Sequence, residues 1–562
     1  MFSKGIILKP NYLNPNAHQI AVLNVWSPTR NINLLQKCKD CLNALLRSPH
    51  QKEKVCNVSE SCCTARASEE PSPHLGVTEV TTQYSANVVI IGAGLAGLSA
   101  ANHLQENGVD NITVIEACPR PGGRILSSWF GDSVIELGST ICRPHTTNPI
   151  VNDIFHDRLT KPLVNNADRS RGLLLRSDGS VIPYPLTFEV YQIFKQIWAL
   201  AHEVEAEESG RSKHSVVKFL GGRIEQEVRN FPSSHQVDAE RVFHGLASMI
   251  TAKSNHDSSL ITSTNFGDFI QLPGSRIKVP LGHFGEINTL YEALPPNKVH
   301  FCKSVVKIRW GGVSDVFPRG VVICENGESF PADYIIITIP LGVLKALSDT
   351  LFCPGLPASK LDAILKIPVG FNSKIFLEYS QPFWTWNKDF EKATFDAKSM
   401  VCKKGWLKGV DSVQLVKGSN HIVRVTVAGP QAQCMECLSD KEIICDLSDF
   451  LKEVFCKKDI PEPVKIKRSG WSCDPCFYGS YTYLGCGVSS KDFYNLASPL
   501  PEQTELCDPV LLFAGEATCP VNFGTIRGAK ASGIREAERL LQLIRLQQEK
   551  EPPCPQLMEC SI

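Results

Sequence analysis

The sequence predicts an α/β fold in which a parallel sheet-and-helix unit is interleaved with an α+β portion. Three observations carry this. From Asn87 the chain reads NVVIIGAGLAGLSAA and then TVIEACPRPGGR, a continuous apolar run, a glycine-rich turn, a helical period and a second apolar run, in the order β-α-β. Helical periods dominate from Leu163 to Lys253, and alternating strand patterns return after them. A last apolar run, VLLFAG, leads into a long amphipathic stretch near the C-terminus.

Length and composition bound the rest. A chain of 562 residues exceeds one simple core, and the prior is roughly two to four domains. A content of 43% hydrophobic and 21% charged residues is that of a folded globular protein. The 58 basic and 58 acidic residues cancel and form no long basic stripe, so no nucleic-acid partner is predicted. The longest apolar runs, NVVII and YIIITIPLGVL, fall short of the roughly eighteen residues of a spanning helix, so the sequence predicts a soluble protein with no membrane partner. Nothing in the pattern specifies an oligomeric state.

The 22 cysteines are scattered, without a signal peptide, which points to a reducing compartment. Three CxxC pairs occur, Cys38/Cys41, Cys434/Cys437 and Cys473/Cys476. They lie far apart in sequence and lack the paired spacing of a zinc ribbon or finger, so free thiols and no metal are expected.

Taken in order, residues 1–84 hold no sustained period and end in ASEEPSP, the pattern of a flexible extension. Its first 39 residues carry Lys4, Lys9, Arg30, Lys37 and Lys39 with no acid, a faint likeness to a mitochondrial transit peptide. Val88 to Ile91 reads as a buried strand, Leu95 to Gln105 as a helix and Ile112 to Ile115 as a second strand. In FEVYQIFKQIWALAHEVEAE, Val190, Phe194, Ile197, Trp198 and Ala201 share one helical face. KVHFCKSVVKIRW is strand-like, and VVICENGESFPADYIIITIP carries an Asn-Gly turn between two strand-like halves. SKIFLEY and HIVRVTVAG suggest a further sheet, and the tail after Gln548 reads as loose.

The glycines point to chemistry. Gly92, Gly94 and Gly97 form GxGxxG at a strand-to-helix turn, where the first permits the tight turn, the second lets backbone approach a diphosphate and the third lets helix and sheet close up. The helix start then offers free N–H groups to the anion. Glu116 ends the next strand 24 residues after Gly92, placed to accept ribose hydroxyls. Together these predict a Rossmann-like, dinucleotide-binding unit. Gly122 and Gly123 precede Arg124, so amides and a guanidinium can reach phosphate a second time.

With that PGGR segment, GEAT at Gly515 to Thr518 and the Gly528-containing helix start, the sequence resembles the flavin-containing amine oxidases from about Asn87 to Leu543. ADYIIITIPLGVLK, KIFLEY and SGWSCDPCFYGSYTY are similar to segments of the animal polyamine and spermine oxidases. The resemblance implies FAD as cofactor, with Gly123, Arg124, Val305, Gly515, Glu516 and Thr525 joining Gly92, Gly94, Gly97 and Glu116 in holding it. It implies that Glu516 holds the ribityl chain. It also divides the chain into FAD-binding stretches at 85–165, 276–345 and 480–548 and substrate-binding stretches at 166–275 (helical) and 346–479 (sheet), with a loose tail at 549–562.

Lys374 shares one strand face with Phe376 and Glu378, and spacing alone allows a surface Lys-Glu pair. The resemblance instead makes Lys374 catalytic, holding a water against the flavin, where a cation would favour the reduced ring. It makes Tyr481 a wall of the amine channel; a dry aromatic wall disfavours the ammonium form and leaves the neutral amine that can expel hydride. Ser480 stands where the monoamine oxidases carry a flavin-linking cysteine, so the FAD is expected to be non-covalent. Thr525 takes the place of a second wall aromatic, and Phe523 is a pocket candidate beside it.

There are departures from the pattern. After LGST the animal polyamine and spermine oxidases have a histidine where this chain has Arg143, a permanent cation that repels a polycationic substrate unless paired. His145 is the candidate to substitute for it, and Cys519 replaces a further histidine. The function implied is oxidation of a polyamine such as spermine, spermidine or an acetylated derivative, with oxygen as acceptor and an aldehyde, a shorter amine and hydrogen peroxide as products. Alternatives are an FAD oxidase of another amine (a monoamine, an amino acid or a protein lysine) and a flavin-binding protein without turnover. The ending Glu559, Cys560, Ser561, Ile562 is neither an SKL-type nor a prenylation signal, and the cytosol is expected, with peroxisome or mitochondrion as alternatives.

Overall fold

The computed structural model describes residues 86–139, 173–174, 180–207, 216–254, 283–311, 318–386, 392–394 and 404–550, apart from 417, 484, 486, 503 and 505–507. The 1–84 extension and residues 551–562 of the tail lie outside the described residues.

A five-stranded sheet organises the cofactor side, in the order Leu511–Phe513, Tyr334–Ile337, Val88–Ile91, Ile112–Ile115, Val299–His300, with every neighbouring pair parallel. The strands Val88–Ile91 and Tyr334–Ile337 are buried at every position because both faces are covered. Val89, Ile91, Ile335 and Ile337 pack on one side against Leu341 and Leu344 of the helix Leu341–Leu351. Val88, Ile90, Val114 and Ile336 pack on the other side against Leu98 and Leu104 of the helix Leu95–Glu106 and Leu540 and Leu541 of the helix Ile526–Lys550. The first helix is rich in alanine and leucine, strong helix formers, and stops at Asn107 before Gly108, whose φ of +86° suits a left-handed C-terminal turn.

The Asn-Gly turn forms as the sequence predicts, with Gly327 at φ +85° between Gly320–Cys324 and Ser329–Ala332. The second half is not one strand, however. It breaks at Asp333, whose carboxylate accepts the Asn87 N–H (2.8 Å) and whose own N–H donates to the Asn87 carbonyl (2.8 Å). Past that tie the run YIII leaves the hairpin for the parallel sheet, where all four of its residues are buried.

A six-stranded sheet lies in the order Lys465–Arg468, Asn372–Glu378, Ile422–Ala428, Val410–Leu415, Lys392–Thr394, Leu173–Leu174. KIFLEY and HIVRVTVAG are antiparallel neighbours, with Lys374 opposite Thr426. Alternation splits the faces. Ile375 and Leu377 pack against Ile443, Leu447 and Leu451 of the helix Asp440–Val454, and Phe376 turns the other way onto Ile135, Leu137 and Trp471. Among the described residues the helical region is three helices, Tyr184–Glu207, Val216–Asn230 and Ser233–Ser254; Val190, Phe194 and Ile197 meet Leu220, Ile224, Val242 and Phe243 in one cluster. Among the described residues no helix is long and apolar enough to cross a membrane.

Candidate functional site

The glycine turn has the shape that the chemistry requires. Gly92 stands at φ +110°, and a Cβ there would lie 2.4 Å from Thr338 Oγ1; a Cβ on Gly97 would lie 1.9 Å from the Gly92 carbonyl oxygen. Gly94 is different. It precedes the first turn of the helix Leu95–Glu106, no side chain caps that end, and a Cβ there would meet no described atom within 4 Å. An uncapped helix start beside that open position is what a dinucleotide diphosphate needs, so the residues present fit the group.

Glu116 is buried at the end of its strand. One carboxylate oxygen accepts the Ala93 N–H (2.7 Å) and the other the Cys118 N–H (2.8 Å). Burial raises its pKa, and those two backbone donors oppose the rise. The Lys303 N–H donates to the Glu116 carbonyl (2.9 Å), and the strand Val305–Arg309 begins two residues later.

The second glycine pair folds back on the first. Gly122 and Gly123 take φ of +97° and +56°, and the Gly122 N–H donates to the Ala93 carbonyl (2.8 Å). Arg124 then reaches the far end of the chain, where its Nη1 donates to Glu516 Oε1 (2.9 Å) and to the Ser480 carbonyl (3.0 Å). Glu516 is buried and also accepts from the Gly524 N–H (2.7 Å), the Thr482 N–H (3.3 Å) and the Thr482 hydroxyl. One carboxylate thereby knots three remote segments. Arg124, Thr338 and Gly515 to Thr518 line a shared cleft.

Lys374 is half-buried, and its Nζ donates to the carbonyls of Glu136 (3.1 Å) and Gly138. Desolvation, then the nearby Arg424 charge, lowers its pKa to about 7, with Glu136 opposing. Above that pH the amine is largely neutral. Glu378, the other end of the supposed surface pair, instead joins Lys465 (3.0 Å). The strand of Lys374 is pinned on its outer edge: its N–H donates to Ser469 Oγ (2.9 Å), and the Ser469 N–H donates to its carbonyl (2.9 Å). Next door, the Ser373 hydroxyl donates to the buried Glu436, which also accepts the N–H groups of Ser472 (2.8 Å) and Cys473 (3.0 Å).

Tyr481 pairs with Gly370 in a short two-stranded ladder, and its ring lies against Gly524, where a Cβ would come within 3.2 Å of Tyr481 Cδ2. Ser480 is buried, with its hydroxyl donating to the Gly370 carbonyl (2.8 Å). Phe523 stacks on Phe493 (4.8 Å, 23°) inside the core. Thr525 is exposed, and its Oγ1 accepts the Gly528 N–H (3.0 Å), which caps the C-terminal helix. Arg143 and His145 lie outside the described residues.

Two groups escaped the sequence reading. Glu136 has one oxygen on the Ser127 hydroxyl (2.5 Å) and the His283 N–H (3.1 Å), and its Oε2 is buried with no hydrogen-bond partner among the described residues. His283 is 2% exposed, and neither ring nitrogen has such a partner. Burial and the Lys374 charge lower the His283 pKa to about 4, so it is neutral. Glu136 directly precedes the LGST segment, a signal that was in view; His283 has no sequence signal. Of the CxxC cysteines, Cys437 and Cys473 meet with sulfurs 3.9 Å apart despite their separation in sequence, and Cys38 and Cys41 lie outside the described residues. Among the described residues no three His, Cys, Asp or Glu side chains are grouped to hold a metal.

A glycine-rich strand-to-helix turn that leaves an uncapped helix start open to a dinucleotide defines the class as a nucleotide-binding protein. Comparison with known proteins sharpens this. The chain matches the family of flavin containing amine oxidoreductases over residues 95–541, and it belongs to that family. It is 30% identical over 506 residues to a human protein named peroxisomal N(1)-acetyl-spermine/spermidine oxidase, covering 83% of this chain and 97% of that one. It is 28% identical to polyamine oxidase 1 of Oryza sativa subsp. japonica, covering 81% and 98%. Lysine-specific histone demethylase 1 homolog 2 of Arabidopsis thaliana is also 28% identical, but the match covers 81% of this chain and only 58% of that protein. The protein is a flavin-containing amine oxidase that binds FAD non-covalently.

Proposed function

We propose that the amine is a polyamine: spermine, spermidine or an N-acetylated derivative, cleaved to an aldehyde and a shorter amine with release of hydrogen peroxide. The observation that carries this reading is Lys374, a half-buried residue whose amine has a pKa lowered to about 7, on a strand pinned to the segment that bears Tyr481. Near-full-length similarity to relatives named for polyamines supports the substrate class. FAD, when bound, supplies the hydride acceptor for the carbon beside the amine nitrogen, and oxygen takes the electrons onward.

The chain's own residues bind, orient and move a proton. Gly92, Gly94 and Gly97 with the following helix start hold the diphosphate, and Glu116 with Val305 takes the nucleoside end. Gly123 lets the second loop approach Gly94, Arg124 orients Glu516, and Gly515, Glu516 and the helix start at Thr525 close the site from the other side. Tyr481 walls the amine channel and keeps it dry, which favours the neutral amine. Lys374 Nζ takes and returns a proton through water. On this reading the stretches that build the parallel sheet bind FAD, and the six-stranded sheet with the three helices binds substrate.

The test is an amine panel, read by anaerobic bleaching of the flavin absorbance and by peroxide release. Spermine or N-acetylspermine is expected to bleach the flavin fastest, and the products fix which C–N bond is cut. Rapid bleaching by a monoamine or a methylated lysine peptide, with polyamines inert, would overturn the substrate assignment.

A further inference from the structure

Two thiols far apart in sequence are presented to each other on the surface. Cys437 caps the helix Pro430–Glu436, and Cys473 lies in the turn after Trp471 and Ser472; their sulfurs are 3.9 Å apart and both residues are exposed. The framework beneath them is fixed. Glu436, immediately before Cys437, is buried and accepts the N–H groups of Ser472 and Cys473 (2.8 and 3.0 Å), so one side chain ties the two cysteine backbones together. The segment that holds Cys473 continues to Ser480 and Tyr481 and begins at Ser469, which bonds the Lys374 backbone in both directions.

The geometry points to a modification site: Cys437 and Cys473 form a reversible disulfide driven by hydrogen peroxide, clamping the Ser469–Tyr481 segment to the helix Pro430–Glu436. The sulfurs must close from 3.9 Å to the bond length of about 2.05 Å. Partial desolvation and the Glu436 charge push the Cys473 thiol up to about 12, so Cys473 keeps its proton until the second step. Cys437 thiolate attacks one peroxide oxygen and the O–O bond breaks, giving a sulfenic acid and hydroxide, which the proton shed by the Cys437 thiol on ionising converts to water. Cys473 sulfur then displaces the hydroxyl from Cys437, and its proton leaves with that hydroxyl as water. Two thiols are oxidised by two electrons and one peroxide is reduced to two waters. That the protein's own turnover supplies the peroxide rests on the oxidase reading above.

The test treats holoenzyme with added hydrogen peroxide, alkylates the remaining thiols and maps peptides without reduction. A Cys437–Cys473 linked peptide is expected, lost on adding dithiothreitol and absent from Cys437→Ser and Cys473→Ser, with the exposed Cys353 and Cys445 still alkylated. The oxidised wild type, unlike either variant, is expected to melt at a higher temperature than its reduced form. Recovery of Cys437 and Cys473 as separate alkylated residues while Cys353 or Cys445 is oxidised would overturn the proposal, as would a sulfinic Cys437 with no link. A parallel arm replaces added peroxide with amine and oxygen, with and without catalase. A link formed by added peroxide but never during amine turnover would leave the thiol site standing and count against the oxidase reading instead.

Discussion

Lys374 titrates near neutrality because its amine has left water while the Arg424 charge lies close, and this sets its pH dependence. Below about pH 7 the amine holds its proton and cannot accept another; above it, the lone pair is free. Turnover with saturating amine is therefore expected to rise through about pH 7, and a pH series on kcat checks it. The bound amine must lose its proton too, so substitution at Lys374 is what assigns the limb. Lys374→Met should remove the lower limb and cut kcat by about 10²- to 10⁴-fold, the usual range for a lost acid-base group. Lys374→Arg keeps a cation at every accessible pH, so it should also lose the limb; a retained limb would assign the titration to another group. Glu516 makes a separate case. Its two oxygens face only donors, from Arg124, Thr482 and Gly524, so Glu516→Gln sets an amide NH₂ against at least one of them. The expected cost is about 2–3 kcal/mol, read as a lower denaturation midpoint together with FAD lost on gel filtration.

Helix packing on the parallel sheet depends on glycines that serve as contact points rather than as turns. Gly533 of the C-terminal helix faces the helix Leu95–Glu106, where a Cβ would lie 2.1 Å from the Ala96 carbonyl oxygen, so Gly533→Ala must push the helices apart. Overpacking of this kind costs about 1–3 kcal/mol. Gly222, inside the helix Val216–Asn230, has nothing within 4 Å of its Cβ position, and Gly222→Ala should instead stabilise by about 0.5–1 kcal/mol. Urea denaturation of the two variants, giving opposite signs, checks the reading. The same contrast explains how much was legible in the sequence. The turn at Gly92 to Gly97, the strand before it and the acid after it lie within thirty residues, so period and spacing sufficed. The break at Asp333 was not legible, because it comes from a bond to Asn87 across 246 positions, and SFPADYIIITIP reads locally as one strand. Arg124 and Glu516 were each legible as motifs, yet their mutual bond spans 392 positions and no spacing rule reaches it. His283 was silent because a lone histidine before a helix carries no pattern, and only its burial beside Glu136 and Lys374 gives it meaning.

The parallel sheet takes its strands from three stretches of chain, around residues 88–115, 299–337 and 511–513, so the glycine turn, the Glu116 loop and the Glu516 knot are complete only when all three have come together. A ligand that touches all three binds the folded chain and not the unfolded one, and its binding free energy adds to stability. Removing FAD should therefore lower the thermal midpoint, and restoring it to about a hundred times its dissociation constant should return about 2.7 kcal/mol, while FMN, lacking the adenosine end, returns less. Glu516→Gln loosens the knot and so should show a smaller FAD-dependent shift than wild type. Ser439→Ala breaks the capping box that Ser439 and Glu442 form on an outer helix of the six-stranded sheet, so it should lower the midpoint with and without FAD by the same amount, about 1 kcal/mol. Calorimetry of the three proteins, each with and without FAD, separates the two effects: equal shifts in wild type and Glu516→Gln would mean that FAD does not bind across the knot, and that the three stretches are joined by packing alone.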